Sequence, residues 1–145
     1  MKAALYARVS TDKQAEKYGI PSQIEALRKR CLERGWIPVL DGDRDAFVDD
    51  GYSGAELDRP ALNRLRQAAR EGSVDVVLAY DPDRLSRKLY HQMILAEEFE
   101  KQGIKLEFIT QDMGTSPEDR MFFNMRGLGQ ASSGRRLSLR PQEIM

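Results

Sequence analysis

A serine ends a strand-like run near the N-terminus, in the stretch LYARVSTDKQ. Alternate residues of a strand point to the same face of a sheet. Tyr6, Arg8 and Ser10 are therefore predicted to share one face, while the apolar residues between them share the other. A hydroxyl beside a guanidinium, with no histidine nearby, favours attack on an anionic group rather than on an ordinary carbonyl.

A second polar cluster, YDPDRLSRK, contains Asp83, Arg84 and Arg87. Arg84 and Arg87 are three residues apart, and at the start of a helix this spacing points both side chains the same way. Arg59 directly precedes Pro60, where a predicted helix N-terminus favours anions. Guanidinium groups bind phosphate bidentately and stay charged at any working pH. The sequence therefore predicts phosphoryl transfer, in which arginines neutralise the phosphate oxygens without magnesium.

Other kinds of catalytic site fit the sequence poorly. His91 is the single histidine, and it lies about 200° around a predicted helix from the apolar Leu89, so we expect it to face solvent. No carboxylate–histidine spacing suggests zinc. Neither a GxxxxGK nor a GxGxxG loop occurs, which argues against a nucleotide-driven enzyme. The sequence thus indicates neither a metal nor a cofactor.

The composition predicts one globular domain in a chain of 145 residues. The single cysteine, Cys31, and the lack of an apolar stretch of membrane-spanning length or of a signal peptide predict a reducing, cytoplasmic setting. The 23 basic and 23 acidic residues cancel. Bulk charge therefore does not predict a nucleic-acid-binding surface, and any grip on DNA must be local or come from another module.

Strand and helix patterns alternate along the chain, which predicts an α/β fold with a mostly parallel central sheet of four to five strands flanked by helices. Ligands bind such sheets beyond the carboxyl ends of the strands. Ser10 and the 81–87 cluster both follow strands, so we expect them to meet at this edge. The predicted strands are 3–9, a weak edge strand at 36–40, a short element near Phe47, 74–80 and 104–110. The predicted helices are 22–34, opened by Pro21, then 60–71, 86–102 and a last one from Pro117.

Each of these features also has a purely structural interpretation. Tyr6 could simply pack in the core, and Arg8 could pair with Asp83 as scaffolding. The Ser86–Arg87 pair could be a helix cap followed by a solvated charge. The stretch DDGYSG could be an ordinary turn.

Five stretches in the same order resemble the catalytic domain of the serine recombinase (resolvase/invertase) family. They are YARVSTDKQ, GIPSQIEAL, DDGYSGAELDRPAL, VLAYDPDRLSR and SPEDRMFFNMRGL, and they span about residues 2–128. The resemblance is strongest to the large recombinases of phages and mobile elements. It implies a resolvase-like catalytic domain over 1–128.

The resemblance also implies a mechanism. Ser10 is expected to attack a DNA phosphodiester, forming a 5′-phosphoserine bond and freeing a 3′-hydroxyl. Arg8, Arg84 and Arg87 would hold the scissile phosphate, with Arg59 in support. The family acts on DNA as a homo-oligomer, a dimer or tetramer, without a membrane, a metal or a cofactor.

The remaining site residues also follow from the resemblance. Gln14 and Gln23 match glutamines that help order the site in the family. Asp83 would orient an arginine or take part in proton transfer. Three further residues are expected to support the site from outside this set: Tyr6, Asp50 and Ser53.

Residues 129–145, GQASSGRRLSLRPQEIM, depart from the family pattern, which continues a long helix with a Glu-Arg run. Gly129, Gly134 and Pro141 are unfavourable in a long helix. We expect a divergent tail, frame-shifted or disordered, and a truncated chain that does not recombine DNA alone. Two alternatives stay open: a non-catalytic remnant that dimerises with or interferes with a full-length relative, and a flavodoxin-like module that binds a phosphorylated metabolite.

Overall fold

The first strand is the central element of a parallel sheet in the computed structural model, which describes residues 1–11 and 19–110. The predictions for Gln14, for a helix from Pro117 and for the tail at 129–145 lie outside these residues. The described strands are β1 (Lys2–Val9), β2 (Ile37–Pro38), β3 (Phe47–Asp50), β4 (Val76–Ala79) and β5 (Lys105–Phe108). The described helices are α1 (Ile20–Arg34), α2 (Pro60–Arg70), α3 (Pro82–Leu85) and α4 (Leu89–Lys101).

All described strand pairs are parallel, and the strand order is β2-β1-β4-β5. β3 also pairs with β1, opposite Tyr6 to Val9, on the side away from β4. The predicted α/β class and the mostly parallel sheet of four to five strands are therefore confirmed. Pro38 lies in the short edge strand β2, where a missing N–H is tolerated.

β1 is buried on both faces, and Ala3 to Ala7 are fully buried. On one face the core includes Leu5, Leu27 and Cys31, so α1 packs against β1 and β4. The other face carries Tyr6 and Arg8, both buried. A central strand of a parallel sheet is expected to be buried in this way, because helices cover both of its faces.

The helix predicted over 86–102 is found as α4, Leu89–Lys101, which begins three residues later than predicted, after a break that separates it from α3. α3 ends at Leu85, and the main chain is extended at Ser86, with φ −166° and ψ 148°. The Ser86 hydroxyl donates to the carbonyl of Gly54 (3.0 Å), and the Ser86 carbonyl accepts from Nε2 of Gln92 (2.7 Å). These contacts draw Ser86 out of helical geometry, so α4 begins at Leu89.

The break corrects three side-chain predictions. Arg84 and Arg87 do not share one helix face, because Arg84 is buried and Arg87 is exposed beyond the break. Leu89 is exposed at the start of α4 rather than buried. His91 is partly buried, with Nδ1 3.4 Å from the Ser86 hydroxyl oxygen.

Within residues 1–11 and 19–110, no helix combines the length and apolar character that a membrane span requires.

Candidate active site

The site forms where β4 stops running beside β1. The register between these strands ends at Tyr6, opposite Ala79. At Arg8, the main-chain N–H and carbonyl pair with the buried side-chain amide of Gln23 and not with a neighbouring strand. Its Oε1 accepts from the Arg8 N–H (3.2 Å), and its Nε2 donates to the Arg8 carbonyl (3.0 Å). Gln23 thus fastens the first turn of α1 to the carboxyl end of β1.

The Arg8 guanidinium is fully buried and donates to three main-chain carbonyls. Its Nε donates to Arg84 (3.0 Å), its Nη1 to Tyr52 (2.8 Å) and its Nη2 to Asp83 (2.9 Å). Arg8 therefore connects β1 with the turn that follows β3 and with the short helix α3. The contact with Asp83 uses its main-chain oxygen, while the Asp83 side chain lies on the surface.

Arg84 lies against Arg8 and is 7% exposed. Its Nη1 donates to the Arg8 carbonyl (3.0 Å), and its Nε contacts Oδ1 of Asp81 (3.3 Å). The same oxygen of Asp81 accepts from the Arg84 N–H (3.2 Å). Asp81, which the sequence analysis did not select, therefore supplies a carboxylate contact to Arg84.

Arg59 lies beneath this pair and is 1% exposed. Its Nη1 donates to the Tyr6 hydroxyl (3.0 Å) and to the Arg84 carbonyl (3.2 Å), and its Nη2 donates to the Leu85 carbonyl. Its Nε is buried without a hydrogen-bond partner in the described part of the chain. Burial lowers the pKa of the Arg59 guanidinium, opposed by Tyr6 and Asp49. Desolvation disfavours the charged form in this way.

Asp49 joins Tyr6 to the start of α2 and is 1% exposed. The Tyr6 hydroxyl donates to Asp49 Oδ2 (2.6 Å), while the N–H groups of Ala61 and Leu62 donate to its two oxygens at 2.8 and 3.0 Å. Burial raises the pKa of Tyr6 well above its ordinary value, which Arg59 opposes and Asp49 reinforces. Tyr6 is therefore neutral at working pH.

Asp50, and not Asp49, is the carboxylate that the family resemblance predicts at the site. Asp50 is exposed and, with Val9 and Pro21, lines a shallow cavity of about 200 Å³. Phe47 and Asp49 are buried while Asp50 is not, so strand alternation decides between the two carboxylates. This alternation was the available sequence signal, because Phe47 had already been assigned to an apolar element.

Gly54 packs directly against two of the arginines. A Cβ at this position would lie 2.8 Å from Arg8 Nη2 and 2.8 Å from Arg87 Cγ. The Arg87 N–H donates to the Gly54 carbonyl (2.9 Å), while its side chain is exposed. Ser53, also exposed, accepts from the Ala55 N–H (3.0 Å) within the same turn.

The structure thus brings together five of the predicted residues through direct contacts: Tyr6, Arg8, Gln23, Arg59 and Arg84. Ser10 follows β1 directly and is partly exposed, two residues beyond Arg8. The remaining described candidates have exposed side chains: Asp50, Ser53, Asp83 and Arg87. The guanidiniums of Arg8, Arg59 and Arg84 therefore lie together at the carboxyl end of β1, with the carboxylates of Asp49 and Asp81 against them.

Sequence comparison shows a match to the family described as Resolvase, N terminal domain, over residues 3–145. A Bacillus subtilis (strain 168) protein named "Putative DNA recombinase" is 48% identical over 125 residues, which are 86% of this chain and 23% of that protein. The Transposon Tn917 resolvase of Enterococcus faecalis is 33% identical over 118 residues, 81% of this chain and 54% of the resolvase. The chain therefore spans less than two thirds of the length of either relative.

Solved structures give the same result. The N-terminal catalytic domain of TP901-1 integrase superposes with a TM-score of 0.73 at 31% identity, covering 88% of this chain and 92% of that one. The C-terminal catalytic domain of ISC1926 TnpA, an IS607-like serine recombinase, superposes with a TM-score of 0.64 at 30% identity. It covers 88% of this chain and 78% of that one.

Proposed function

This chain belongs to the resolvase family, and from that premise we propose that its domain breaks and rejoins DNA with Ser10 as the nucleophile. Family membership and the resolvase-like fold confirm the resemblance drawn from the sequence motifs. The observation that supports the proposal is the pair of reciprocal hydrogen bonds between Arg8 and Arg84 at the carboxyl end of β1, two residues before Ser10.

In the proposed reaction, the Ser10 oxygen attacks the phosphorus of a DNA phosphodiester. A serine–phosphate bond forms at the 5′ side, the bond to the 3′ oxygen breaks, and that oxygen leaves as a hydroxyl. The serine hydroxyl proton is lost and one proton is gained by the leaving oxygen, so the step is balanced. Attack by a 3′-hydroxyl on the phosphoserine then reseals a strand, and storing the ester covalently keeps the exchange close to isoenergetic.

Arginines supply the electrostatic part of this proposal. Arg8, Arg84 and Arg87 would neutralise the phosphate oxygens, with Arg59 supporting them from below. Removing one such group costs on the order of 10³-fold in rate at comparable sites. Arg87 is the exposed member and lies at the rim, where a DNA backbone can reach it. The positions of Arg8 and Arg84 depend on the main-chain contacts described above.

DNA is the partner we propose, in a homo-oligomer of two or four chains. The 23 basic and 23 acidic residues balance, so bulk charge does not provide the affinity for DNA. A local cluster of guanidiniums at one sheet edge would instead hold one phosphate at a time.

The direct test is a covalent adduct. The purified chain is incubated with a pool of fluorescent, nicked, random-sequence duplexes and separated under denaturing conditions. We expect a shifted protein–DNA band that Ser10→Ala abolishes, while Ser73→Ala, in the loop before β4, leaves it unchanged. Mass spectrometry should place the phosphoester on Ser10. An adduct that persists in Ser10→Ala, or none with the unaltered chain, would overturn the proposal.

A second candidate function is a non-catalytic chain that only pairs with a longer relative. The near-complete burial of Arg8 and Arg59, both donating to main-chain carbonyls, favours it. Such a chain would keep the fold but form no adduct, so the same experiment separates the two.

A further inference from the structure

We propose that Asp81 is a positioning residue that aims the Arg84 guanidinium into the site; its effect on DNA cleavage rests on the function proposed above. One carboxylate oxygen of Asp81 contacts both the main-chain N–H (3.2 Å) and the side-chain Nε (3.3 Å) of Arg84. The Arg84 side chain is 8% exposed and that of Asp81 is 25% exposed, so the ion pair is largely shielded from water.

The first contact, with the main-chain N–H, fixes the position of the Arg84 main chain. Asp81 is the N-cap of α3, in extended geometry, and Pro82 occupies the first turn. α3 comprises four residues, Pro82–Leu85, which is far too short to be stable alone. The cap and the fixed φ of Pro82 therefore hold the Arg84 main chain in place.

The second contact, with Nε, fixes the direction of the Arg84 side chain. With Nε held by Asp81, Nη1 reaches the Arg8 carbonyl at 3.0 Å. The Arg84 carbonyl in turn accepts from Nε of Arg8 and Nη1 of Arg59. Arg84 is therefore the residue at which three arginines meet, and Asp81 orients it from outside the cluster.

In the described structure, the Asp83 carboxylate does not position Arg84. The Asp83 side chain is exposed, and its residue contacts Arg8 through the main-chain carbonyl. A simpler interpretation is that Asp81 only caps α3. The two interpretations differ in one respect: a cap needs an acceptor oxygen, whereas aiming a guanidinium also uses the negative charge.

Asp81→Asn separates them, because asparagine keeps the cap acceptor and removes the charge. Asp41→Asn is the matched control, since Asp41 forms an ion pair with Arg64 (2.8 Å) outside the site. We expect Asp81→Asn to slow adduct formation on the nicked duplex pool by on the order of 10- to 100-fold, with thermal stability near that of the unaltered chain. Asp41→Asn should leave the rate unchanged. In an Arg84→Ala background, Asp81→Asn should cause no further slowing.

A readout without DNA keeps this inference distinct from the proposed function. Hydrogen exchange of the Arg84 Nε–H, followed by nitrogen-edited NMR, should be at least about tenfold faster in Asp81→Asn than in the unaltered chain. If the unaltered chain forms no adduct while this exchange difference holds, the DNA reaction fails and the positioning stands. An unchanged exchange rate, or equal slowing of the adduct with and without Arg84, would overturn the role of Asp81.

Discussion

Arg8 and Arg84 each donate a hydrogen bond to the main-chain carbonyl of the other. Arg8 Nε lies 3.0 Å from the Arg84 carbonyl oxygen, and Arg84 Nη1 lies 3.0 Å from the Arg8 carbonyl oxygen. The two residues are 76 positions apart in the chain. This exchange fastens α3 to the end of β1, so two proposed phosphate-binding arginines also hold the site together.

Arg8→Lys should therefore destabilise the protein although it conserves the charge. An ammonium group cannot reach the carbonyls of Tyr52, Asp83 and Arg84 together, so buried acceptors lose their donors. We expect a loss of about 2–4 kcal/mol in the free energy of unfolding, measured by urea denaturation. Arg28→Lys, at an exposed ion pair with Asp45, should cost less than about 1 kcal/mol. Equal losses in the two variants would contradict this assignment.

Gln23→Glu tests the side chain that replaces a strand beside Arg8. At neutral pH a carboxylate can still accept from the Arg8 N–H but cannot donate to the Arg8 carbonyl. We expect a loss of about 2–3 kcal/mol at neutral pH in urea denaturation. Part of it should return relative to the unaltered chain in mild acid, when the new carboxyl gains a proton. Gln67→Glu, on the exposed face of α2, should cost a few tenths of a kcal/mol. A similar cost for the two variants would contradict the role of Gln23 in holding Arg8.

Gly54→Ala should disturb the arginine cluster directly. The added methyl group would lie 2.8 Å from Arg8 Nη2, which is buried and held by the Asp83 carbonyl, so the strain cannot relax cheaply. We expect a loss of about 1–3 kcal/mol in unfolding free energy and slower adduct formation. Gly19→Ala has its nearest contact at 3.8 Å from Pro21 and should lose less than about 1 kcal/mol. A fully stable Gly54→Ala variant would show that the close packing is not needed.

Tyr6 should make the protein less stable in alkali. Burial holds the pKa of Tyr6 in the folded chain well above its ordinary value of 10.0. Above pH 10 the unfolded chain therefore loses a proton that the folded chain retains, and the free energy of unfolding falls as pH rises. Below that pH the contribution is fully present. The slope is at most about 1.4 kcal/mol per pH unit for one group.

The measurement compares urea denaturation of the unaltered chain and Tyr6→Phe between about pH 8 and pH 11. Tyr6→Phe should be less stable at pH 8, because Asp49 and Arg59 lose the hydroxyl between them, but its stability should fall less steeply. Tyr90→Phe, at an exposed tyrosine, should keep the steep fall. Parallel curves for Tyr6→Phe and the unaltered chain would show that Tyr6 is not the responsible group.

The sequence by itself determined the class of fold and the strand that presents the site. Alternating strand and helix patterns predicted the parallel sheet, and Gly35, in the left-handed conformation, ends α1 directly after the predicted range 22–34. These features depend on local periodicity and local backbone preferences, which neighbouring residues set. The roles of the described site residues toward DNA remain predictions.

Only the tertiary structure decided which carboxylate contacts Arg84. Asp81 rather than Asp83 does so through its side chain, whereas strand alternation already distinguishes the buried Asp49 from the exposed Asp50. The break at Ser86, which separates Arg84 from Arg87, follows from a hydrogen bond to Gly54, 32 residues away. Such choices depend on which distant groups can satisfy a buried donor or acceptor, and a charged group is buried only where such partners exist. These distant partners come together only when the helices pack against the sheet.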